Sequence, residues 1–275
     1  MEELSQAIEQ YKQESRQGAG GRSEPYPSSR QTPPPIVYSK TRVVECREEV
    51  LRRHRVVAAF DRGEFADGYQ LLRTQVLHRL RENHWNVLGV TSPRAQEGKS
   101  LTALNLAITL AMETTQTVML IDADLKHPTV HTLLGLGNCQ GLADYALEDC
   151  PLEDILIHPG LGRLVVLPGG RPIQRSAEVL TSTRMSALIT DVKHRYPARV
   201  IVIDLPPLLV SSDVLAFAPS LDALLLVAGE GMTTRQDIKE SLALVRGAVP
   251  VLGTVLNQSG KDQRNVDAMR ALAAN

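Results

Sequence analysis

The sequence has few aromatic residues and almost no net charge. Phe, Trp and Tyr together make up 4% of its 275 residues, and the formal net charge is −1. Proteins that bind nucleic acid without sequence preference rely on basic surfaces, and single-strand binders add aromatic rings on which bases stack. We therefore expect no nucleic-acid partner.

Long apolar runs and paired cysteines are also missing. The longest apolar runs, such as the one that ends at Ala228, fall far short of the roughly 20 residues that span a bilayer. Cys46, Cys139 and Cys150 lie far apart without metal-ligand spacing, and the acidic start at Met1 does not resemble an export signal. We expect a cytoplasmic protein that does not enter a membrane by itself.

Composition divides the chain into four segments. Residues 1–17 carry apolar side chains at helical spacing, which predicts a short N-terminal helix, either solvated or docked on a partner. Residues 18–35 are rich in Gly, Ser and Pro and predict a flexible linker. Residues 36–84 indicate an extended segment and helices that lead into the core domain, residues 85–275.

The core domain alternates short apolar runs with longer helical stretches. The predicted strands are Asn86–Thr91, Thr117–Ile121, Arg163–Leu167, Arg199–Ile203, Ala223–Val227 and Val251–Leu256. The predicted helices are Ser100–Glu113, Gly141–Glu148, Ala177–Arg195 and Thr234–Arg246. Unbroken Val, Ile and Leu runs are typical of strands covered on both faces. The alternation of strands and helices predicts an α/β fold with a doubly wound, mainly parallel sheet.

A phosphate-binding loop is predicted after the first of these strands. The segment Ser92-Pro-Arg-Ala-Gln-Glu-Gly-Lys-Ser100 joins that strand to a helix, so backbone N–H groups and the helix dipole would point at an anion. Lys99 would reach the β- and γ-phosphates of ATP, and the Ser100 hydroxyl would ligate Mg²⁺. The strict P-loop pattern has glycine where Pro93 stands, and Gln96 occupies another position that is often glycine. The alternative is a plain surface turn. The predicted nucleotide-binding residues of this segment are Pro93, Arg94, Ala95, Gln96, Glu97, Gly98, Lys99, Ser100 and Leu101.

Three aspartates close two further predicted strands. Asp122 and Asp124 follow the second strand, and Asp204 follows the fourth. Ligands gather at the carboxyl ends of parallel strands, where such carboxylates can support Mg²⁺ together with Ser100 and orient a hydroxyl nucleophile. Each aspartate could instead be a turn or helix-capping residue, but the three together with the loop predict a nucleotide site. Asn257, after the last strand, is either a turn residue or a contact to the base.

Longer motifs surround these residues. The most specific are Val118-Met-Leu-Ile-Asp-Ala-Asp-Leu-Lys-His-Pro and Val200-Ile-Val-Ile-Asp-Leu-Pro-Pro. Shorter ones are Tyr38-Ser-Lys-Thr-Arg-Val-Val-Glu, Leu72-Arg-Thr-Gln-Val-Leu, Ala103-Leu-Asn-Leu-Ala and Leu167-Pro-Gly-Gly. Together they resemble the bacterial tyrosine kinases (BY-kinases) of capsule and exopolysaccharide loci, particularly the exosortase-associated branch. The resemblance runs from about Val37 to about Asn257.

This resemblance implies a protein-tyrosine autokinase that uses ATP and Mg²⁺. It implies the fold of the deviant-Walker P-loop ATPases of cell division and plasmid partition, and it makes residues 85–275 a kinase-like domain. By this similarity Lys99 holds the phosphates, and Asp122 is the base for a tyrosyl hydroxyl. Asp124 and Asp204 support Mg²⁺, and Asn257 touches adenine. The implied partner is a membrane polysaccharide co-polymerase, which would hold the chain at the inner membrane and link it to exopolysaccharide synthesis or export.

Three departures from the family pattern leave alternatives open. The last tyrosine of the sequence is Tyr196, whereas the family carries a C-terminal tyrosine cluster as its autophosphorylation substrate. The family's ring-assembly motif is only partly present over residues 67–73, which leaves a homo-oligomer undecided, and Lys126 replaces an arginine. The main alternative is a weakly catalytic ATP-binding regulator that switches its partner between ATP and ADP states. A small-molecule kinase or a DNA-partition ATPase is more distant.

Overall fold

A computed structural model of the chain describes residues 41–60, 64–113, 116–148, 150–195 and 199–259. The N-terminal helix and the linker predicted over residues 1–35 lie outside these ranges. So do the first residues of the predicted extended segment and the end of the core domain. Within the described ranges, no helix is long and apolar enough to cross a bilayer.

Eight strands form a single sheet in the order β1-β4-β5-β3-β6-β2-β7-β8. Their bounds are β1 Arg42–Val43, β2 Val87–Thr91, β3 Thr117–Asp122, β4 Ile157–His158, β5 Leu164–Leu167, β6 Arg199–Asp204, β7 Ala223–Gly229 and β8 Val251–Asn257. Neighbouring strands run parallel except β4 and β5, which are antiparallel. The six strands predicted from the sequence all form, and the prediction of a mainly parallel sheet is confirmed.

Helices cover both faces of this sheet. Their bounds are α1 Glu48–Arg53, α2 Glu64–Glu82, α3 Lys99–Ala111, α4 Val130–Leu133, α5 Leu142–Glu148, α6 Leu152–Ile155, α7 Ser176–Leu180, α8 Thr183–Arg195, α9 Asp213–Phe217 and α10 Arg235–Val245. Short 3₁₀ turns lie at Val57–Ala59 and Ala218–Ser220.

Alternate residues of each central strand pack on opposite faces. Leu88 and Leu120 belong to the core that α2 and α3 cover, whereas Val87 and Met119 belong to the core that α8 and α9 cover. Burial on both faces explains why these strands are continuous apolar runs rather than alternating patterns. The result is the three-layer architecture of a doubly wound α/β domain.

The single helix predicted over Ala177–Arg195 is wrong, because the chain forms α7 and α8 with a break between them. At the break, the Thr181 hydroxyl donates to the Ala177 carbonyl oxygen at 2.9 Å, while the Ser182 hydroxyl accepts from the Met185 N–H at 3.2 Å. Ser182 thereby satisfies one of the free N–H groups at the start of α8. The apolar residues keep a helical spacing across both helices, so the sequence pattern did not indicate the break at Ser182.

The strand order brings the candidate site residues together. Strand β6 lies between β3 and β2, so the ends that carry the aspartates adjoin the strand that leads into the phosphate loop. Asp122 and Asp204 are register partners across β3 and β6, and Val90 is the partner of Asp204 across β2. Parallel strands present their carboxyl ends at one edge of the sheet, which is where ligands bind in open α/β sheets.

Candidate nucleotide-binding site

The phosphate loop spans residues 92–98, between β2 and α3. Gly98 has φ 85° and is the N-cap of α3. A Cβ atom at Gly98 would lie 2.0 Å from Asn257 Nδ2, so the position requires glycine for space as well as for its backbone conformation. Gln96 also has a left-handed backbone, with φ 66°, at a position where glycine would be unstrained.

Lys99 is the first residue of α3, and its ammonium group points into the carboxylates rather than out to solvent. Its Nζ lies 2.7 Å from Asp124 Oδ2 and 3.5 Å from Asp204 Oδ1, and it contacts Ser100 Oγ at 3.0 Å. Burial alone would lower the pKa of Lys99, but the charges of Asp204 and Asp124 outweigh it, and the pKa is raised. Lys99 is therefore a fixed positive charge at the base of the loop.

Asp204 is a buried carboxylate with unused acceptor capacity. It is fully inaccessible to solvent, and neither oxygen accepts a hydrogen bond of ordinary geometry within the described part of the chain. Burial raises the pKa of Asp204 despite the opposing charge of Lys99. The Lys99 ammonium group, 3.5 Å from Oδ1, only partly satisfies this buried carboxylate, and a hard cation or its water shell would use the remaining acceptor capacity.

The oxygen atoms around the buried Asp204 carboxylate are of the kind that binds Mg²⁺. The available groups are carboxylate and hydroxyl oxygens, which Mg²⁺ prefers, and Mg²⁺ in nucleotide sites is held by one or two carboxylates with waters and phosphates. In the described ranges, no three His, Cys, Asp or Glu side chains converge as ligands of one ion. Metal ligation by Ser100, Asp122, Asp124 and Asp204 stays a prediction.

Asp122 is held by backbone N–H groups. Its Oδ2 accepts from Thr129 at 2.9 Å and Val130 at 3.0 Å, at the start of α4, and its Oδ1 accepts from the Asp124 N–H at 3.3 Å. Burial, followed by the charge of Asp204, raises the pKa of Asp122 to about 8. Asp122 thus accepts hydrogen bonds from N–H groups at the start of α4, and its raised pKa favours its protonated form. Its role as a base stays a prediction.

The other predicted loop residues have separate environments. Pro93 is buried, and its carbonyl oxygen accepts from the Leu209 N–H at 3.1 Å. Ala95 is exposed and Leu101 is partly buried. The exposed Arg94 donates from Nε and Nη2 to Asp237 Oδ1 at 3.0 and 2.8 Å.

Asn257 is attached to the loop. Its Nδ2 donates to the Glu97 carbonyl oxygen at 3.0 Å. The next residue does the same, because Gln258 Nε2 donates to the Gln96 carbonyl oxygen at 2.9 Å. Asn257 therefore has a structural function in the loop. Its contact to adenine stays a prediction.

Lys126, at the position where the family has arginine, faces the segment after β6. Its Nζ contacts Ser211 Oγ at 3.2 Å and Asp213 Oδ1 at 3.6 Å. Asp213 is buried, and its other carboxylate oxygen accepts from Ser176 Oγ at 2.5 Å. Lysine keeps the charge of the site here without the two-pronged geometry of a guanidinium.

Two residues of the site were absent from the sequence prediction. Thr233 donates its hydroxyl to the Glu97 carboxylate, and Asp237 binds Arg94. A sequence signal existed for Asp237, because Thr234 and Asp237 form a capping box at the start of α10. No local pattern signals the contact of Thr233, since its partner lies 136 positions away.

Comparison with known proteins places the chain among nucleotide-binding relatives. The family model described as ParA, NUBPL iron-transfer P-loop NTPase, matches residues 83–270. This match confirms the predicted P-loop fold of the partition-ATPase type and implies nucleotide binding by this domain.

Curated relatives and solved structures narrow the family. The tyrosine-protein kinase YwqD of Bacillus subtilis is 31% identical over 195 residues, which cover 70% of this chain and 80% of YwqD. The tyrosine-protein kinase Etk of Escherichia coli is 29% identical over 192 residues, which cover 70% of this chain but only 26% of Etk.

The kinase domain of Escherichia coli Etk is also similar as a solved structure. It has a TM-score of 0.65 and 28% sequence identity, over 70% of this chain and 76% of that domain. The match to the exosortase-associated branch stays a prediction. The chain belongs to the ParA-type P-loop NTPases and, within them, to the family of bacterial tyrosine kinases.

Proposed function

We propose that this chain is an ATP- and Mg²⁺-dependent protein-tyrosine kinase that acts on itself or on a partner protein. The observation that carries the proposal is the arrangement around Lys99, whose buried ammonium group lies between Asp124 and Asp204 at the start of α3. A phosphate loop, a buried lysine and an acceptor-rich carboxylate together are the parts that phosphoryl transfer requires. The names of the relatives, tyrosine-protein kinases, support the same reaction class.

In this proposal the chain supplies position and charge. The start of α3 and the loop receive the phosphates, and Lys99 moves from its carboxylates toward the β- and γ-phosphates. Ser100 and Asp204 would hold Mg²⁺, which when bound supplies positive charge that neutralises the phosphate oxygens. The bond between the γ-phosphorus and the bridging oxygen breaks, ADP leaves, and a tyrosyl oxygen forms the new bond.

The acceptor hydroxyl must lose its proton in this step. Asp122 and Asp124 are the candidate acceptors of that proton, and both lie in the same cluster of carboxylates as Asp204. Burial raises the pKa of Asp122, so its ionised carboxylate is a stronger base than an ordinary one, but at neutral pH the group must lose its own proton before it can accept another. Asp122 would have to exchange one of its backbone hydrogen bonds for the tyrosyl proton.

Phosphosite mapping after incubation with Mg²⁺-ATP tests the kinase proposal. The wild-type chain is expected to acquire phosphotyrosine on itself or on an added partner, whereas Lys99→Met is expected to acquire none. Asp204→Asn is a second variant that keeps the shape of the side chain and removes its charge. If the wild-type chain binds ATP but transfers no phosphoryl group to any tyrosine, kinase activity is excluded.

The cellular setting is a further part of the proposal. The resemblance to the kinases of capsule and exopolysaccharide loci supports a membrane polysaccharide co-polymerase as partner, with the chain peripheral to the inner membrane through it. Deletion of residues 1–35 is expected to weaken co-purification with that partner while nucleotide binding is retained. Undiminished co-purification would show that residues 1–35 are not the docking segment.

A regulator with little kinase activity is the second candidate, and two observations favour it. Gln96 has a left-handed backbone, which costs about 1 kcal/mol in a non-glycine residue and would weaken the loop. The three backbone hydrogen bonds of Asp122 also compete with its use as a base. ATP binding and an ATP-dependent change in partner binding without phosphotyrosine would favour this candidate.

A further inference from the structure

We infer that Glu97 and Thr233 form a positioning pair that sets the shape of the phosphate loop and thereby the affinity for nucleotide. The inference rests on the proposed nucleotide binding and assigns a function to two residues that do not touch the reacting groups. Glu97 lies inside the loop, whereas Thr233 lies on the segment between β7 and α10.

The pair is part of a continuous chain of hydrogen bonds. Glu97 is 1% exposed, and its Oε2 accepts from the Arg94 N–H at 2.8 Å. Its Oε1 accepts the Thr233 hydroxyl, and Thr233 Oγ1 in turn accepts from the Gly229 N–H at 2.8 Å. The hydroxyl thus connects the end of β7 to the interior of the loop, and every oxygen of the Glu97 carboxylate has a donor.

The loop needs such a restraint because its own sequence does not fix its shape. Gln96 has φ 66°, a conformation that a non-glycine residue keeps only when its surroundings hold it. The amides of Asn257 and Gln258 hold the carbonyl oxygens of Glu97 and Gln96 from outside. The Glu97 carboxylate holds the loop from inside, where it bridges Arg94 to Thr233.

Electrostatics alone would oppose a carboxylate at this position. The loop receives polyphosphate, so a buried negative charge beside it weakens binding, and Glu97 also occupies the N–H of Arg94, which could otherwise face an anion. The geometric contribution must therefore exceed this repulsion if Glu97 supports binding. The negative charge of Glu97 lowers the affinity for nucleotide, whereas its hydrogen bonds raise it. A single substitution of Glu97 can therefore show which effect is larger.

Thr233→Val removes the hydroxyl and keeps the shape of the side chain. It leaves the buried Glu97 Oε1 and the buried Gly229 N–H without their partner beside a half-buried side chain, so we expect at least about tenfold weaker binding of Mg²⁺-ADP. Thr233→Ser is the matched control, because it keeps the hydroxyl, and it is expected to bind within about twofold of the wild type. The probe is a fluorescent ADP analogue titrated into the full chain, with the melting temperature of each variant recorded.

Glu97→Gln provides a second test if Thr233→Val does not fold. Removal of the negative charge would tighten binding if electrostatics dominated, whereas the loss of an acceptor for Arg94 or Thr233 weakens it if positioning dominates. We expect weaker binding. In turnover assays of either variant the KM for ATP is expected to rise more than kcat falls.

Equal affinity of wild type and Thr233→Val, an equal loss in Thr233→Ser, or tighter binding by Glu97→Gln would each overturn the inference. Failure of the wild-type chain to bind the ADP analogue would instead overturn the proposed function. The two failures are therefore distinguishable in one set of titrations.

Discussion

Asp122 and Asp204 are register partners on the neighbouring parallel strands β3 and β6, and both side chains are fully buried. Burial is the main cause that raises the pKa of both carboxyl groups, and the charge of Asp204 raises the pKa of Asp122 further. Lys99 supplies the nearest compensating charge at 3.5 Å from Asp204 Oδ1. Both aspartates therefore bind a proton more tightly in the folded chain than in the unfolded chain.

We predict that the stability of the Mg²⁺-free protein decreases as pH rises from about 4 to about 8. The pKa of Asp122 is raised from 3.8 to about 8 on folding, mainly by burial. Across that interval the folded state binds more protons than the unfolded state, so the free energy of unfolding falls with pH and levels off above the folded pKa. Urea denaturation in EDTA at pH 5, 6.5 and 8 measures this slope.

Asp204→Asn is the control for the pH prediction. After burial, the charge of Asp204 is the next largest cause of the raised pKa of Asp122. Because the substitution removes this charge, the free energy of unfolding is expected to depend less steeply on pH. An unchanged slope in Asp204→Asn, or a wild-type stability that increases across this interval, would contradict the assignment.

We predict that Lys99→Met lowers the free energy of unfolding by about 3 to 5 kcal/mol, the typical cost of leaving one member of a buried ion pair unpaired. The ammonium group is the only cation in contact with Asp124 and Asp204 among the ion pairs of the described residues. The double variant Lys99→Met/Asp124→Asn is expected to recover part of this stability. Both variants should lack ATP turnover. Recovered turnover in the double variant would show that Lys99 serves only the fold.

We predict that Asp204→Asn removes the stabilisation that Mg²⁺ adds to the ADP complex. Ligand at a hundred times its Kd stabilises a protein by about 2.7 kcal/mol, which thermal denaturation resolves easily. The wild type should show a larger shift with Mg²⁺-ADP than with ADP in EDTA, and Asp204→Asn should show equal shifts. Ser100→Ala is the companion variant, with a reduced Mg²⁺ effect. A full Mg²⁺ effect in both variants would place the metal elsewhere.

Local sequence patterns were sufficient to predict the edge of the sheet that carries the site. The strands ending at Thr91, Asp122 and Asp204 are continuous apolar runs, and a parallel arrangement puts their carboxyl ends at one edge of the sheet whatever the order of the strands. The order β3-β6-β2 then makes these ends neighbours. Polar residues directly after such runs therefore identify the site before its geometry is known. The loop was predictable for the same reason, because it follows the first strand.

The contacts that hold these residues were not predictable. Asp122 binds backbone N–H groups of α4, a helix of four residues that is too short to give a periodic pattern. Thr233 reaches Glu97 only because β7 adjoins β2, and strand order is a property of the whole fold. Hydrogen bonds between distant residues depend on packing that no local pattern records.

Gln96 gives a test of strain in the phosphate loop. Its side chain is exposed and its φ is 66°, so substitutions there change backbone preference more than packing. Gln96→Gly removes the left-handed penalty of about 1 to 2 kcal/mol and adds about 0.4 to 1 kcal/mol of unfolded-state entropy, so we expect a variant at least as stable as the wild type. Gln96→Val, which is β-branched, is expected to lose stability and to bind Mg²⁺-ADP more weakly. Urea denaturation and ADP titration of both variants measure these effects. If valine is tolerated as well as glycine, Gln258 and Asn257 hold the loop so firmly that the residue at position 96 has no influence on its shape.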